Sequence, residues 1–152
     1  MIIIDQARFT FAVFSDFLKR TLIGQEILIL FGEKILRQFQ IEIAGKGIAL
    51  AELDHRNPKI AEAFWQMLPI EAEACLWGEE IYFNIPLQTV DENPLPSASA
   101  SDISYWSPGP AFCIFFGKTQ PYSPVNHLGK IVEGLDLFRD VKARDRIALN
   151  RK

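Results

Sequence analysis

Few residues in this chain are of types that do chemistry, and their spacing restricts what they could do. His55 and His127 are the only histidines. Neither has a Cys-x-x-Cys pair or a second imidazole at ligand spacing, so no metal site is expected. Ser123 and His127 lack an orienting acid at motif spacing, and there is no Gly-x-Ser-x-Gly elbow. Glu79 and Glu80 are adjacent acids, but neighbours along a strand point to opposite faces and would not meet as acid and base. No Gly-rich phosphate loop or dinucleotide fingerprint occurs, and no cofactor is expected. Cys75 and Cys113 each lie in apolar, strand-like runs, where a free cysteine behaves as a small buried hydrophobe. Whether they are bridged is left open, and a reducing cytoplasm is the simplest setting for them.

The concentrated feature is instead aromatic. From Asp102 to Gly117 two apolar runs flank a Ser-Pro-Gly-Pro breaker, and the second, Phe112 to Phe116, has no charged side chain. A run of that length bounded by Pro and Gly reads as a strand apolar on both faces. One face must meet a core and the other a second layer, a partner or a ligand.

Charge is unevenly spread. Of 152 residues, with net charge -3, none between Ile60 and Gly117 is Lys, Arg or His, although Glu62, Glu71, Glu73, Glu79, Glu80, Asp91, Glu92 and Asp102 all fall there. Solvated strand edges account for this, and an acidic surface preferring a cationic partner is the sharper alternative. Nucleic-acid binding, which needs clustered bases, is not expected.

The elements that must position these residues begin at Arg37. Phe39, Ile41 and Ile43 alternate with Gln38, Gln40 and Glu42 as a half-buried strand, Ala44 to Gly47 turns the chain, and Ile48 to Leu53 returns. Asn57 and Pro58 suit the N-cap and first turn of a short helix whose stripe is Ile60, Ala63, Phe64, Met67 and Leu68, ended by Pro69. Strands are expected over Ile70 to Leu76 and Glu79 to Ile85, joined at Trp77-Gly78, with a long loop from Pro86 to Ser101. A further strand over Val125 to Val132, a short helix over Leu135 to Lys142 and a closing strand over Arg146 to Leu149 complete the pattern. Many short strands with two short helices predict a mainly β, closed or nearly closed antiparallel barrel.

Residues 1–36 differ in character and read as a separate extension. Phe9, Val13 and Phe17, then Ile23, Ile27, Leu30, Phe31 and Ile35, recur at helical spacing. A docked amphipathic helix, a peripheral membrane anchor and a start codon set too far upstream are the alternatives. Charged residues interrupt every apolar run, so no transmembrane span is expected.

Four ordered motifs then resemble a small prokaryotic cyclophilin-like family of uncharacterised function. They are Trp77-Gly-Glu-Glu-Ile-Tyr-Phe83, Asp102-Ile-Ser-Tyr-Trp106-Ser-Pro-Gly109, Ala111-Phe-Cys-Ile-Phe-Phe-Gly117 and Ser123-Pro-Val-Asn-His-Leu-Gly-Lys-Ile131. Glu52 to Phe64 also resembles the strand-to-helix entry of true cyclophilins. The resemblance covers about residues 37–150 and implies an eight-stranded antiparallel barrel with two capping helices.

It does not carry the isomerase chemistry with it. Cyclophilins polarise the prolyl amide with an Arg expected on the strand after the first helix, and Ile60 to Gly117 contains none. The family's pocket His aligns with Val125, and His127 falls two residues later on the same face. The alignment puts Phe112, Ile114 and Phe116 on an outward groove, with Cys113 and Phe115 in the core, and Trp77, Phe83 and Trp106 beside the groove. Each aromatic taken singly is better explained as barrel filling; together they favour an outward apolar groove. The expected function is a non-catalytic binding module presenting that groove to a peptide or small apolar ligand, with a weak prolyl isomerase as the alternative.

Overall fold

The structure, a computed structural model, describes residues 36–152; the helical readings made on residues 1–35 lie outside the described residues. Nine antiparallel strands form one sheet: β1 (Gln38–Ile43), β2 (Gly47–Leu53), β3 (Ile70–Glu73), β4 (Cys75–Trp77), β5 (Glu80–Asn84), β6 (Asp102–Trp106), β7 (Ala111–Phe115), β8 (Asn126–Glu133) and β9 (Arg146–Arg151). Their order is β3-β9-β1-β2-β8-β6-β7-β5-β4. The two edge strands are halves of one bent segment. Ile70–Glu73 pairs with β9 and Cys75–Trp77 with β5. Between them Ala74 donates to the Asp145 carbonyl at 2.9 Å and accepts from the Arg144 N–H at 2.8 Å. Chain continuity through Ala74 therefore joins the two edges and nearly closes the barrel. The single expected strand Ile70 to Leu76 and the expected eight-strand count become nine because the segment bends there.

Alternation decides the interior. Phe39, Ile41 and Ile43, Ala49, Ala51 and Leu53, Ile81 and Phe83, Ile103 and Tyr105, Phe112 and Ile114, and Ile147 and Leu149 all meet in one core. Phe112 lies at its centre, stacked on Phe64 with centroids 5.0 Å apart and 12° between planes, 5.5 Å from Phe83 and edge-on to Phe39 at 6.4 Å. The helix α1 (Pro58–Met67) closes one end with Ile60, Ala61 and Phe64. Leu137, on a 3-10 turn (Leu135–Asp140), packs at Gly47 by the β1–β2 turn, so that turn closes the other end with Phe138 buried. The residues Arg37–Lys152 form one unit by their internal contacts. No helix among the described residues is long and apolar enough to cross a membrane.

Pro58 opens α1 as expected, but Asn57, at the N-cap, makes no side-chain cap. The Glu92 carboxylate instead accepts from the Lys59 and Ile60 N–H groups at 3.1 Å each, and Asn57 is used elsewhere. Its Nδ2 donates to the His127 carbonyl at 2.8 Å and its Oδ1 accepts from the Asn93 N–H at 2.7 Å. The whole 86–101 loop is held this way, by polar side chains buried beneath it. Tyr105 donates to the Leu87 carbonyl at 2.7 Å, Asn126 accepts from the Glu92 N–H at 2.8 Å, and the His127 ring meets the Ser97 carbonyl at 2.9 Å. Buried polar groups need partners, and here they convert a long loop into a fixed layer over β6 and β8.

Since the strand pairs and the bend at Ala74 that nearly close the barrel all lie within residues 37–152, we propose that these residues fold without the preceding segment. The expected result for that fragment is a single cooperative thermal transition; a broad, non-cooperative melt would show that the barrel depends on residues before Arg37.

Candidate functional site

β7 is buried on both faces. Ala111, Cys113 and Phe115 point out of the barrel into a second cluster with Val125, against Tyr82, Ala98 and Trp106. This inverts the expected faces: Phe112, Ile114 and Phe116 belong to the barrel interior, while Cys113 and Phe115 look outward. Alternation along β7 could not reveal this, because both of its faces are apolar. Register resolves it: Phe112 lies opposite Phe83 and Tyr105, and Cys113 opposite Tyr82 and Ser104.

On the outer face lies a cavity of about 220 Å³ lined by Trp77, Glu80, Tyr82, Trp106, Cys113, Pro121, Tyr122 and Val125. Of the expected groove residues, Trp77, Trp106 and Val125 meet here; Phe83, Phe112 and Ile114 are inside the barrel, and Phe116 and His127 are buried outside the cavity lining. Glu80, Tyr82, Pro121 and Tyr122 were not anticipated. The alternation of Glu80 and Tyr82 against Ile81 and Phe83 on β5 was the available signal, since it puts the first pair on the outer face.

Local chemistry shapes the walls. Tyr122, on the loop after β7, stands edge-on to both Trp77 and Trp106, with centroids 6.2 and 6.3 Å away. Trp106 is oriented by its indole N–H, which donates to Ser123 Oγ at 2.7 Å. Gly109 of the Ser-Pro-Gly-Pro turn lets that ring approach the backbone closely, because a Cβ there would come within 2.6 Å of it. The β4–β5 turn has Gly78 at φ +61°, a left-handed conformation, and there the Thr119 hydroxyl accepts from the Glu79 N–H at 2.7 Å. The Glu79 carboxylate accepts from the Lys118 N–H at 2.7 Å, so the 117–122 loop is fastened to the turn carrying Trp77.

Cations from outside the stretch pair with three of the eight acids between Ile60 and Gly117 at close range. Glu62 is paired with Arg37, Glu79 with Arg139 at 3.0 Å, and Asp102 with Arg56 at 3.2 Å and Lys130 at 2.9 Å. Glu80 differs. It is only 7% exposed, borders the cavity, and no cation or N–H among the described residues donates to its carboxylate. Burial pushes its carboxyl above the usual glutamate range, opposed only by the Cys113 thiol. Burial and the facing Glu80 in turn hold the Cys113 thiol well above its ordinary value, so it is a protonated donor and no nucleophile. Cys75 is exposed, and the two cysteines are free.

His127 does not form a catalytic triad. A carbonyl can only accept, so Nε2 carries the hydrogen donated to Ser97, and Nδ1 shares a hydrogen bond with the Ser104 hydroxyl at 2.7 Å. Asp102, 3.8 Å away, lies on that same Nδ1 side. Serine and acid thus face one ring nitrogen, whereas a nucleophile–base relay needs them on opposite ones. Arg139, from the C-terminal part of the chain, has its guanidinium over the Phe116 ring, 5.8 Å from the centroid, and donates to the Phe116 carbonyl, outside the cavity lining.

The sequence model of the family described as cyclophilin-like matches residues 37–150. Among curated proteins none matches the chain. The solution structure of the hypothetical protein AF2241 from Archaeoglobus fulgidus is similar, with 28% identity, a TM-score of 0.66, and coverage of 78% of this chain and 96% of that one. The structure of McbB in complex with tryptophan is also similar, with 22% identity and a TM-score of 0.64 over 75% of this chain; the match spans 44% of McbB.

Proposed function

The chain belongs to the cyclophilin-like family, and we propose that within this fold it is a non-catalytic binding module whose outer-face cavity takes a small apolar ligand. The observation that carries this reading is the cavity: about 220 Å³, walled by Trp77, Trp106, Tyr82 and Tyr122. Aromatic rings left partly in water at the mouth of a concave, already formed site are the arrangement by which proteins take up small apolar molecules. Trp77 is 51% exposed and Tyr122 79% exposed, so both have area to bury against a ligand. An empty apolar cavity of about 150 Å³ is enough to hold a benzene molecule. The site therefore suits one ring with a short arm better than an extended peptide. McbB, 44% of which matches this fold, was solved in complex with tryptophan.

Isomerase activity has no comparable support, since the cavity lining contains no arginine to polarise a prolyl amide.

Two of the three tryptophans line the cavity, so their fluorescence reports on it. Titrating 2-phenylethanol into the full chain is expected to give a saturable change. Trp77→Ala removes a half-exposed wall and is expected to weaken binding by about tenfold while leaving the melting temperature within about 2 °C. Equal affinity in the variant would remove the cavity as the site.

A further inference from the structure

The cavity has one polar feature that an apolar ligand alone would not explain. Glu80 reaches it from β5 as a buried residue, in a lining shared with Trp77, Tyr82, Trp106 and Tyr122, and with no cationic partner among the described residues. Withdrawing a carboxylate from water without pairing it is costly, and proteins rarely keep such a group without a partner. The protein pairs comparable acids readily: Asp102, the other buried carboxylate, is met by both Arg56 and Lys130, and even the exposed Glu79 has Arg139. Glu80 alone of the buried acids is left facing open space rather than a basic side chain.

We propose that the cation Glu80 lacks is carried by the ligand, which is a small amine: an aromatic or apolar body bearing one protonated amino group. This rests on the reading of the cavity as a ligand site and names the chemical class that site takes. Two forces act on such a ligand together. The ammonium forms a charge-assisted hydrogen bond to Glu80 in the cavity lining. The negative faces of Trp77, Trp106 and Tyr122 favour a cation held among them, and their area covers the ligand's apolar body. The Cys113 thiol beside it in the lining, held protonated, supplies a hydrogen-bond donor and brings no opposing positive charge. An anionic ligand would meet the buried acid and be rejected, so the same group sets specificity.

Three probes of one size and shape separate the possibilities: phenethylamine, 2-phenylethanol and phenylacetate. In wild-type protein near neutral pH, phenethylamine is expected to bind about tenfold or more tightly than 2-phenylethanol, and phenylacetate more weakly than either. Glu80→Gln keeps the side chain's size and removes its charge, so it is expected to bring the ratio of phenethylamine to 2-phenylethanol affinity down to about one. Equal binding of phenethylamine and 2-phenylethanol to wild type, or preference for phenylacetate, would overturn the amine assignment while the cavity remained a ligand site. Absence of saturable binding by all three would overturn both. The wild-type comparison decides the matter even if the variant does not fold.

Discussion

Phe112→Ala is expected to lower the free energy of unfolding by about 3–5 kcal/mol, the range for removing a fully buried aromatic ring. The ring is fully buried and touches Phe39, Phe64 and Phe83, so its loss opens a cavity bordered by β1, α1 and β5 at once. These neighbours sit on separate elements held by closed strand pairing, and collapse around the gap is restricted. Urea unfolding followed by circular dichroism measures the change. A loss below about 1 kcal/mol would mean that the Phe112 face is not the barrel interior.

The second large effect concerns Asp102. Its side chain is almost fully buried and accepts from the Lys130 ammonium at 2.9 Å, the Arg56 guanidinium at 3.2 Å and the Ser99 N–H at 2.8 Å. Burial alone would raise its pKa; the Ser99 N–H, Lys130, His127 and Arg56 outweigh that and hold the carboxyl below the usual aspartate range. A depressed folded-state pKa contributes stability that is complete above the unfolded value of about 3.9 and is lost as pH falls through the lower folded value. Asp102→Ala should therefore cost about 1.5–3 kcal/mol at neutral pH, the range for losing hydrogen bonds to a charged group. The cost should shrink as pH falls below about 4. Denaturant melts at neutral and acidic pH test this; a cost that stays constant into acid would show that Asp102 acts by packing rather than charge.

Much of this architecture is legible in the residues. Alternation in Gln38–Ile43 and Glu80–Asn84 marks strands with one face in the core, and the ordered motifs from Trp77 to Ile131 point to the cyclophilin-like barrel. The bend at Ala74 is not legible, since Ile70 to Trp77 holds no Gly or Pro to mark where its two halves part to opposite edges. The face of β7 is not legible from β7 alone either. Phe112 and Cys113 are both apolar enough for a core, and only pairing with the clearly amphipathic β5 separates them. Trp77, Trp106 and Val125 were found because aromatic and apolar residues cluster there in the motifs. Glu80 was missed because an acid in a strand reads as a solvent-facing residue until burial and the absence of a partner are seen. His127 was expected at the groove because one of its two neighbours in alternation, Val125, is there; the Val125 main chain instead bridges to Leu95, and β8 begins only at Asn126.

The central claim is that the ligand site is the outer-face cavity between β5, β6, β7 and the 117–125 loops, and the indole N–H resonances test it most directly. The chain has three tryptophans, of which Trp77 and Trp106 line the cavity and Trp65 lies on α1 beneath Arg37 and Arg151. In proton–nitrogen correlation spectra of the full chain titrated with phenethylamine or 2-phenylethanol, the Trp77 and Trp106 indole signals should move together and saturate, with Trp65 unmoved. Movement of Trp65 with the other two fixed, or saturable binding that moves none of the three, would contradict the account.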